Sequence, residues 1–214
     1  MSLPVVVVDY GIGNLYSVTR ALEVCGASVR VTASHEHIEA AERIVMPGVG
    51  AFADGMKGLT QRGQIEPLMR FIASGRPFLG ICVGMQLLFD IGEEFGTHAG
   101  LGIIPGRVRP VPATAADGTP HRIPHIGWNV LVAPARHPDW SGTMLQDLPP
   151  LPAVYFVHSF APEPADDGCR LADCYYNGRR VCAAVQAANV GGCQFHPEKS
   201  GPIGLQILRN YLKA

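Results

Sequence analysis

Charge is scarce in this 214-residue sequence: Asp, Glu, Lys and Arg together make up 16%, well under the roughly 25% usual for soluble domains. Intrinsic disorder is excluded, because hydrophobic residues reach 47% and provide the apolar surface that a core needs. Neither sign of charge dominates. Lys plus Arg number 17 and Asp plus Glu 18, a net charge of -1, which gives no general attraction to nucleic acid or to an anionic membrane surface. No run of 18 apolar residues is present, so no segment qualifies as a membrane-spanning helix. The opening Met-Ser-Leu-Pro-Val-Val-Val-Val-Asp lacks a basic region and is broken by Pro4 and ended by Asp9, so it does not read as a signal peptide. Cys-x-x-Cys pairs are also missing. Cys25, Cys82, Cys169, Cys174, Cys182 and Cys193 have no zinc-site spacing and read as reduced thiols in a cytoplasmic protein with no metal or other cofactor. Internal repeats are absent as well.

What is present is a single large domain over residues 1–214, rich in turns through its 25 glycines and 18 prolines. Val5 to Val8 is a continuous β-branched run, the mark of a strand buried on both faces. Helical spacing follows at Leu15, Val18, Ala21, Leu22 and Cys25, Gly26 stops it, and Ser28 to Thr32 resumes strand character, which makes a βαβ unit. Arg43 to Met46 and Pro77 to Ile81 read as further strands and Ile65 to Ala73 as a helix. Beyond about residue 105, short strands with turn signals predict antiparallel hairpins added to the sheet, most clearly Leu171 to Gln186 around Asn177-Gly178. Pro202 to Leu212 reads as a closing helix. The expected fold is α/β: a doubly wound, mostly parallel sheet with helices on both faces and added antiparallel hairpins, in the flavodoxin-like manner.

The chemistry begins at Gly80-Ile81-Cys82-Val83-Gly84, which lies between a strand and the helical pattern up to Phe89. This G-x-C-x-G is a nucleophile elbow with sulfur in place of the hydroxyl, its glycines allowing strand and helix to approach closely. A helix N-terminus and a nearby imidazole there favour a reactive thiolate. An isolated cysteine is more often a small buried hydrophobe; the elbow context argues for the nucleophile. Of eight histidines, only His196 has a built-in orienter. In Gln194-Phe195-His196-Pro197-Glu198 the proline disfavours the α conformation at His196, so the stretch reads as extended, with Glu198 on the same side as the imidazole. A carboxylate on Nδ1 leaves Nε2 free to take and return a proton, which makes Cys82, His196 and Glu198 a candidate triad. Taken alone, the pair also fits a solvated turn.

An acyl reaction needs donors for its oxyanion. The amide of Val83 is the first candidate, and the Val49 and Gly50 amides of Pro47-Gly48-Val49-Gly50, at the carboxyl edge of the sheet, are the second. A merely structural turn is the alternative there. Gly11-Ile12-Gly13 is a poor dinucleotide motif, since Tyr16 stands where the third glycine belongs. His35-Glu36-His37 reads as a solvated helix start rather than a metal pair. Trp128 and Trp140 fit either core positions or interface anchors.

Taken together these motifs resemble the triad-type glutamine amidotransferases over nearly the whole length, and among them the glutaminase subunits of imidazole glycerol phosphate synthase. The resemblance to that subfamily rests on Asp9 to Asn14, Pro47 to Phe52, Gly127-Trp128-Asn129, Tyr155 to Ser159 and His196 to Ser200. It implies that Cys82 attacks the carboxamide of glutamine, with Gly50, Gln86, Ser159 and Phe160 at the glutamine site. It also implies a heterodimer with a cyclase subunit that receives the ammonia for histidine biosynthesis. Asn14, Trp128 and Lys199 are the implied interface residues, and the peptide between Gly48 and Val49 is the implied switch that keeps the lone subunit nearly inactive. Phe160 departs from the tyrosine common in the family, and Pro110 to Pro124 is somewhat long. An amidotransferase serving a different synthase, a self-standing cysteine hydrolase and a non-catalytic scaffold are the rival readings.

Overall fold

The polypeptide, described from a computed structural model over residues 3–136 and 138–214, begins with the expected βαβ unit. Met1, Ser2 and His137, the last of these one of the eight histidines, lie outside the described residues. Strand β1 (Leu3–Val8) leads through helix α1 (Leu15–Val24) to β2 (Ala27–Thr32), and the two strands pair in parallel. Next come α2 (His35–Glu39), β3 (Ile44–Gly48), α3 (Phe52–Gln61), α4 (Ile65–Ala73) and β4 (Phe78–Cys82). Helix α2 starts at His35 under a Ser34 cap, as a solvated helix start requires. After α5 (Val83–Gln86) the chain forms β5 (Phe89–Gly92), β6 (His98–Ala99), β7 (Ile104–Pro110), β8 (His125–Val130), β9 (Ala153–His158) and β10 (Phe160–Pro164). It ends with β11 (Arg170–Tyr176), β12 (Arg179–Ala187), β13 (Val190–Cys193) and α6 (Gly201–Leu212).

The central seven-stranded sheet has the order β11-β12-β13-β4-β3-β1-β2. Strands β13, β4, β3, β1 and β2 are parallel neighbours, while β11 and β12 are antiparallel additions at one edge. The parallel part has the switch between β1 and β3 that defines the flavodoxin-like order, and right-handed crossovers to either side of it place helices on both faces. On those faces α1 packs with α6 and α2 with α4. Strands β3 and β4 are buried along their whole length, as their unbroken apolar character demands. The hairpin between β11 and β12 turns at Asn177 and Gly178, whose φ values of 47° and 78° are those of a type I′ turn.

Register positions the chemistry. Gly48, the last residue of β3, stands opposite Cys82, the last of β4, and Cys193, the last of β13, stands opposite Ile81. The three carboxyl ends therefore form one ledge, where open α/β sheets bind ligands.

Three expectations need correction. The helix after Cys82 is a single turn, α5, rather than a segment continuing to Phe89. The carbonyls of Leu87 and Leu88 bond instead to the amides of Leu101 and Ile103, at 2.8 and 2.9 Å, and draw the chain into a second sheet. Of the strands beyond residue 105, β11, β12 and β13 join the central sheet, β13 as a parallel neighbour of β4. Strands β10, β7, β5 and β6 form a sheet of their own, with β5 and β7 parallel, and β8 pairs only with β9. Finally, His196 is extended, but Pro197–Lys199 closes into a 3-10 turn, so Glu198 reaches the imidazole by turning back rather than by lying two residues along a strand.

Candidate active site

At Cys82 the backbone adopts φ 55° and ψ -113°, a conformation that costs a non-glycine residue about 1–3 kcal/mol. The turn is held by contact on both sides. A Cβ on Gly84 would lie 1.8 Å from the Met46 carbonyl oxygen, and one on Gly80 would lie 2.6 Å from the carbonyl oxygen of Gly84. Both glycines of the G-x-C-x-G therefore serve close backbone approach. Gly84→Ala should destabilise the chain by about 3 kcal/mol or more, read as a lowered urea midpoint; an unchanged midpoint would refute this packing account.

The imidazole of His196 stands on the same ledge. Its backbone amide donates to the Tyr155 carbonyl at 2.9 Å, and its carbonyl accepts from the Ser200 hydroxyl at 2.6 Å, which ties the 3-10 turn to β9. Nδ1 lies 2.8 Å from Glu198 Oε1, and both side chains are buried. Nε2 makes no hydrogen bond of normal geometry with any described residue and remains available toward the cleft. Burial opposes a charge on this imidazole, but the Cys82 sulfur and the Glu198 carboxylate outweigh burial and push its pKa up to about 9. At neutral pH His196 is thus an imidazolium, a proton donor already oriented beside the sulfur.

A cleft of about 290 Å³ opens over these groups, with Val49, Gly50, Cys82, Val83, Gln86 and His196 in its wall. Ser159, Phe160 and Lys199, all singled out in the sequence, line it too, as do Glu94, Pro124, Val157 and His158. A larger hollow of about 440 Å³ at the C-terminus, near Lys213, is lined by no cysteine or histidine among the described residues. The Pro47–Gly50 loop is anchored at one end, where the buried Tyr10 hydroxyl donates to the Pro47 carbonyl at 2.7 Å. At the other end Gly50 has φ 100° and Val49 is 41% exposed. Gln86 uses its amide nitrogen twice, donating to the Phe160 carbonyl and to Gln194 Oε1 at 3.0 Å each, which leaves its carbonyl oxygen for an incoming group.

The interface residues implied by the resemblance, and Trp140, do different things. Trp128 is 59% exposed and meets Tyr155 edge to face, while Lys199 lies 6.0 Å from the same ring. Asn14 caps α1 by accepting from the Ser17 amide at 3.2 Å. Trp140, by contrast, packs against the core and donates to the Leu171 carbonyl.

Four residues escaped the sequence reading. Gln194, fully buried, donates to Cys82 Sγ at 3.6 Å. Glu94 accepts from the Phe52 amide at 2.8 Å at the start of α3. His158 and His125 form a buried pair at 3.0 Å, and burial with mutual repulsion holds His158 down to about 3, while burial and His121 hold His125 down to about 4. The local signals were the place of Gln194 two residues before His196 and that of His158 directly before Ser159; nothing comparable marks Glu94 or His125.

Comparison with known proteins agrees with this geometry. The family described as glutamine amidotransferase class-I matches residues 6–214. The chain belongs to that family. Among curated relatives of this amidotransferase, an imidazole glycerol phosphate synthase subunit HisH 1 of Legionella pneumophila is 51% identical over 207 residues, covering 97% of each chain. A HisH subunit of Syntrophotalea carbinolica is 47% identical over 208 residues, covering 97% of this chain and 98% of that one. Among solved structures, the PurLQS structure from Thermotoga maritima aligns with a TM-score of 0.75 at 18% identity, covering 100% of this chain and 99% of that one. A structure titled glutamine amidotransferase aligns at 0.69 with 20% identity, covering 97% of both. At such identities these two speak for the amidotransferase fold alone. No helix among the described residues of this amidotransferase is long and apolar enough to cross a membrane.

Proposed function

We propose that this amidotransferase hydrolyses glutamine through a Cys82 thioester and passes the ammonia to a cyclase subunit with which it forms the heterodimeric imidazole glycerol phosphate synthase, in the cytoplasm. The observation that carries the chemistry is the 2.8 Å pairing of His196 with Glu198 on the same cleft as a cysteine at a positive-φ elbow. The choice of acceptor rests on the HisH relatives, matched over 97% of this chain.

In this reading the Cys82 sulfur attacks the carboxamide carbon of glutamine, and the amides of Val83 and of the Val49-Gly50 loop receive the developing oxyanion. The C–N bond then breaks. His196 gives its Nε2 proton to the leaving nitrogen, which departs as ammonia, and the γ-glutamyl thioester remains. Water attacks the thioester while His196 takes its proton, the C–S bond breaks, and glutamate leaves with the sulfur restored. Glu198 holds Nδ1 throughout. Gly50, Ser159, Phe160 and the Gln86 carbonyl oxygen surround the substrate, and Glu94 is the cleft-lining carboxylate placed for an α-ammonium group. Lys199 in the cleft wall, Trp128 beside it across the Tyr155 ring, and Asn14 form the face toward the cyclase.

The test is glutamate release by the pure chain alone, with the cyclase subunit, and with cyclase plus its ribonucleotide ligand. Stepwise activation is expected. Equal rates in all three mixtures would mean an autonomous hydrolase and would overturn the partner half of the proposal.

A further inference from the structure

Phe160 supplies a carbonyl oxygen that can only accept, and two buried side chains donate to it: His158 through Nδ1 at 2.9 Å and Gln86 through Nε2 at 3.0 Å. These two contacts determine the sense of every hydrogen bond linked to them. With its proton on Nδ1, a neutral His158 must accept at Nε2, so the contact at 3.0 Å is a donation from His125 Nδ1. His125 Nε2 is then an acceptor and meets Asn129 Nδ2 at 3.4 Å. The Asn129 amide is itself oriented by backbone, since Nδ2 donates to the Tyr175 carbonyl and Oδ1 accepts from the Val130 amide. On the other side, Gln86 Nε2 also donates to Gln194 at 3.0 Å, so it is the Gln194 oxygen that faces Gln86. The Gln194 NH2 is thereby turned onto the sulfur of Cys82, at 3.6 Å.

We infer that Gln194 is a hydrogen-bond donor dedicated to the Cys82 thiolate, its direction set by a hydrogen-bonded chain that runs inward from the half-buried Asn129 through the buried His125 and His158, the Phe160 carbonyl and Gln86. The inference rests on the reading of Cys82 as the nucleophile and deepens it. A donor aimed at sulfur favours the charged form over the thiol, because a thiolate is by far the stronger acceptor. The opposite orientation of Gln194 would set two NH2 groups against each other and point a carbonyl oxygen at the sulfur. Gln194 is 0% and Gln86 3% exposed, so the donor is held without competition from solvent. His196 and Gln194 divide the work: His196 moves protons, whereas Gln194 has none to give up and stays a donor at every stage, ready to receive the sulfur each time the thioester is cleaved.

The experiment is alkylation of Cys82 by iodoacetamide in the full chain, followed by mass spectrometry of the Cys82 peptide across pH. Gln194→Met retains the approximate shape and removes the donor. It should move the pH midpoint of alkylation upward by about one unit and so slow alkylation by up to about tenfold at pH values below the wild-type midpoint. A folded Gln194→Met chain with the wild-type midpoint would overturn the inference. Where that variant fails to fold, the unmodified chain answers the same question by nuclear magnetic resonance. The side-chain amide protons of Gln194 should then shift with the same pH midpoint as Cys82 alkylation, and resonances indifferent to pH through that midpoint would overturn the inference equally. Alkylation needs neither glutamine nor a partner. A chain without glutaminase activity but with the shifted midpoint would therefore remove the proposed function and support the donor role.

Discussion

Glutamine hydrolysis by the complex of this chain with the cyclase should fall by about 10⁴-fold or more when Cys82 is replaced by alanine. No other group lining the cleft can take over the thioester. Ser159 offers a hydroxyl, but the neighbouring His158 has both ring nitrogens engaged, one with His125 and one with the Phe160 carbonyl, and is held neutral. Glutamate release measured with the cyclase and its ligand present checks this, and residual activity within tenfold of wild type would refute the nucleophile assignment. The same position allows a separate test of strain. Alanine retains the cost of φ 55° and ψ -113°, whereas glycine relieves it. Although glycine gives the unfolded chain more entropy to lose, Cys82→Gly should be more stable than Cys82→Ala by about 1 kcal/mol while equally inactive. Urea unfolding of the two variants measures the difference, and an alanine variant at least as stable as the glycine one would remove the strain account.

Glu198→Gln should reduce turnover by about 10²–10⁴-fold while the chain keeps its fold. The amide keeps the shape but withdraws the charge that orients and stabilises the imidazolium. A pH signature accompanies the loss. Because the folded pKa of His196 is raised from 6.5 to about 9, its contribution to stability is fully present below pH 6.5. That contribution fades as pH rises and is lost through about pH 9. With glutamine at 198 the raised pKa falls back, so the wild-type advantage over the variant should be largest at or below pH 6.5 and shrink toward pH 9. Unfolding measured at several pH values tests the sign, and an advantage that grows with pH would contradict it. The buried His125 and His158 act in the opposite sense. Their depressed pKa values leave them neutral in the fold, so stability is lost as pH falls below 6.5.

Much of the architecture was legible because it is local. The β-branched run at Val5 to Val8, the helical spacing of Leu15 to Cys25 and the Asn177-Gly178 turn each specify their element within a few residues. Helix α3 was not legible. Gly55 and Gly58 spoil its helical pattern, and they are there for packing: a Cβ on Gly58 would lie 2.2 Å from the Tyr10 carbonyl oxygen. Helix α5 was read too long for a comparable reason, since its continuation is stopped by hydrogen bonds to residues fourteen or more positions away.

The sequence by itself determined the nucleophile elbow, the imidazole with its carboxylate and the loop of Pro47 to Gly50, because each is a motif whose chemistry depends on near neighbours in the chain. Only the tertiary structure decided that these motifs share one cleft, since that follows from the parallel register of β3, β4 and β13. It alone also disclosed Glu94 and the chain from Asn129 to Gln194. Those residues come from segments as far as 108 positions apart, and a hydrogen bond depends on distance and direction in space, of which separation along the sequence carries no trace.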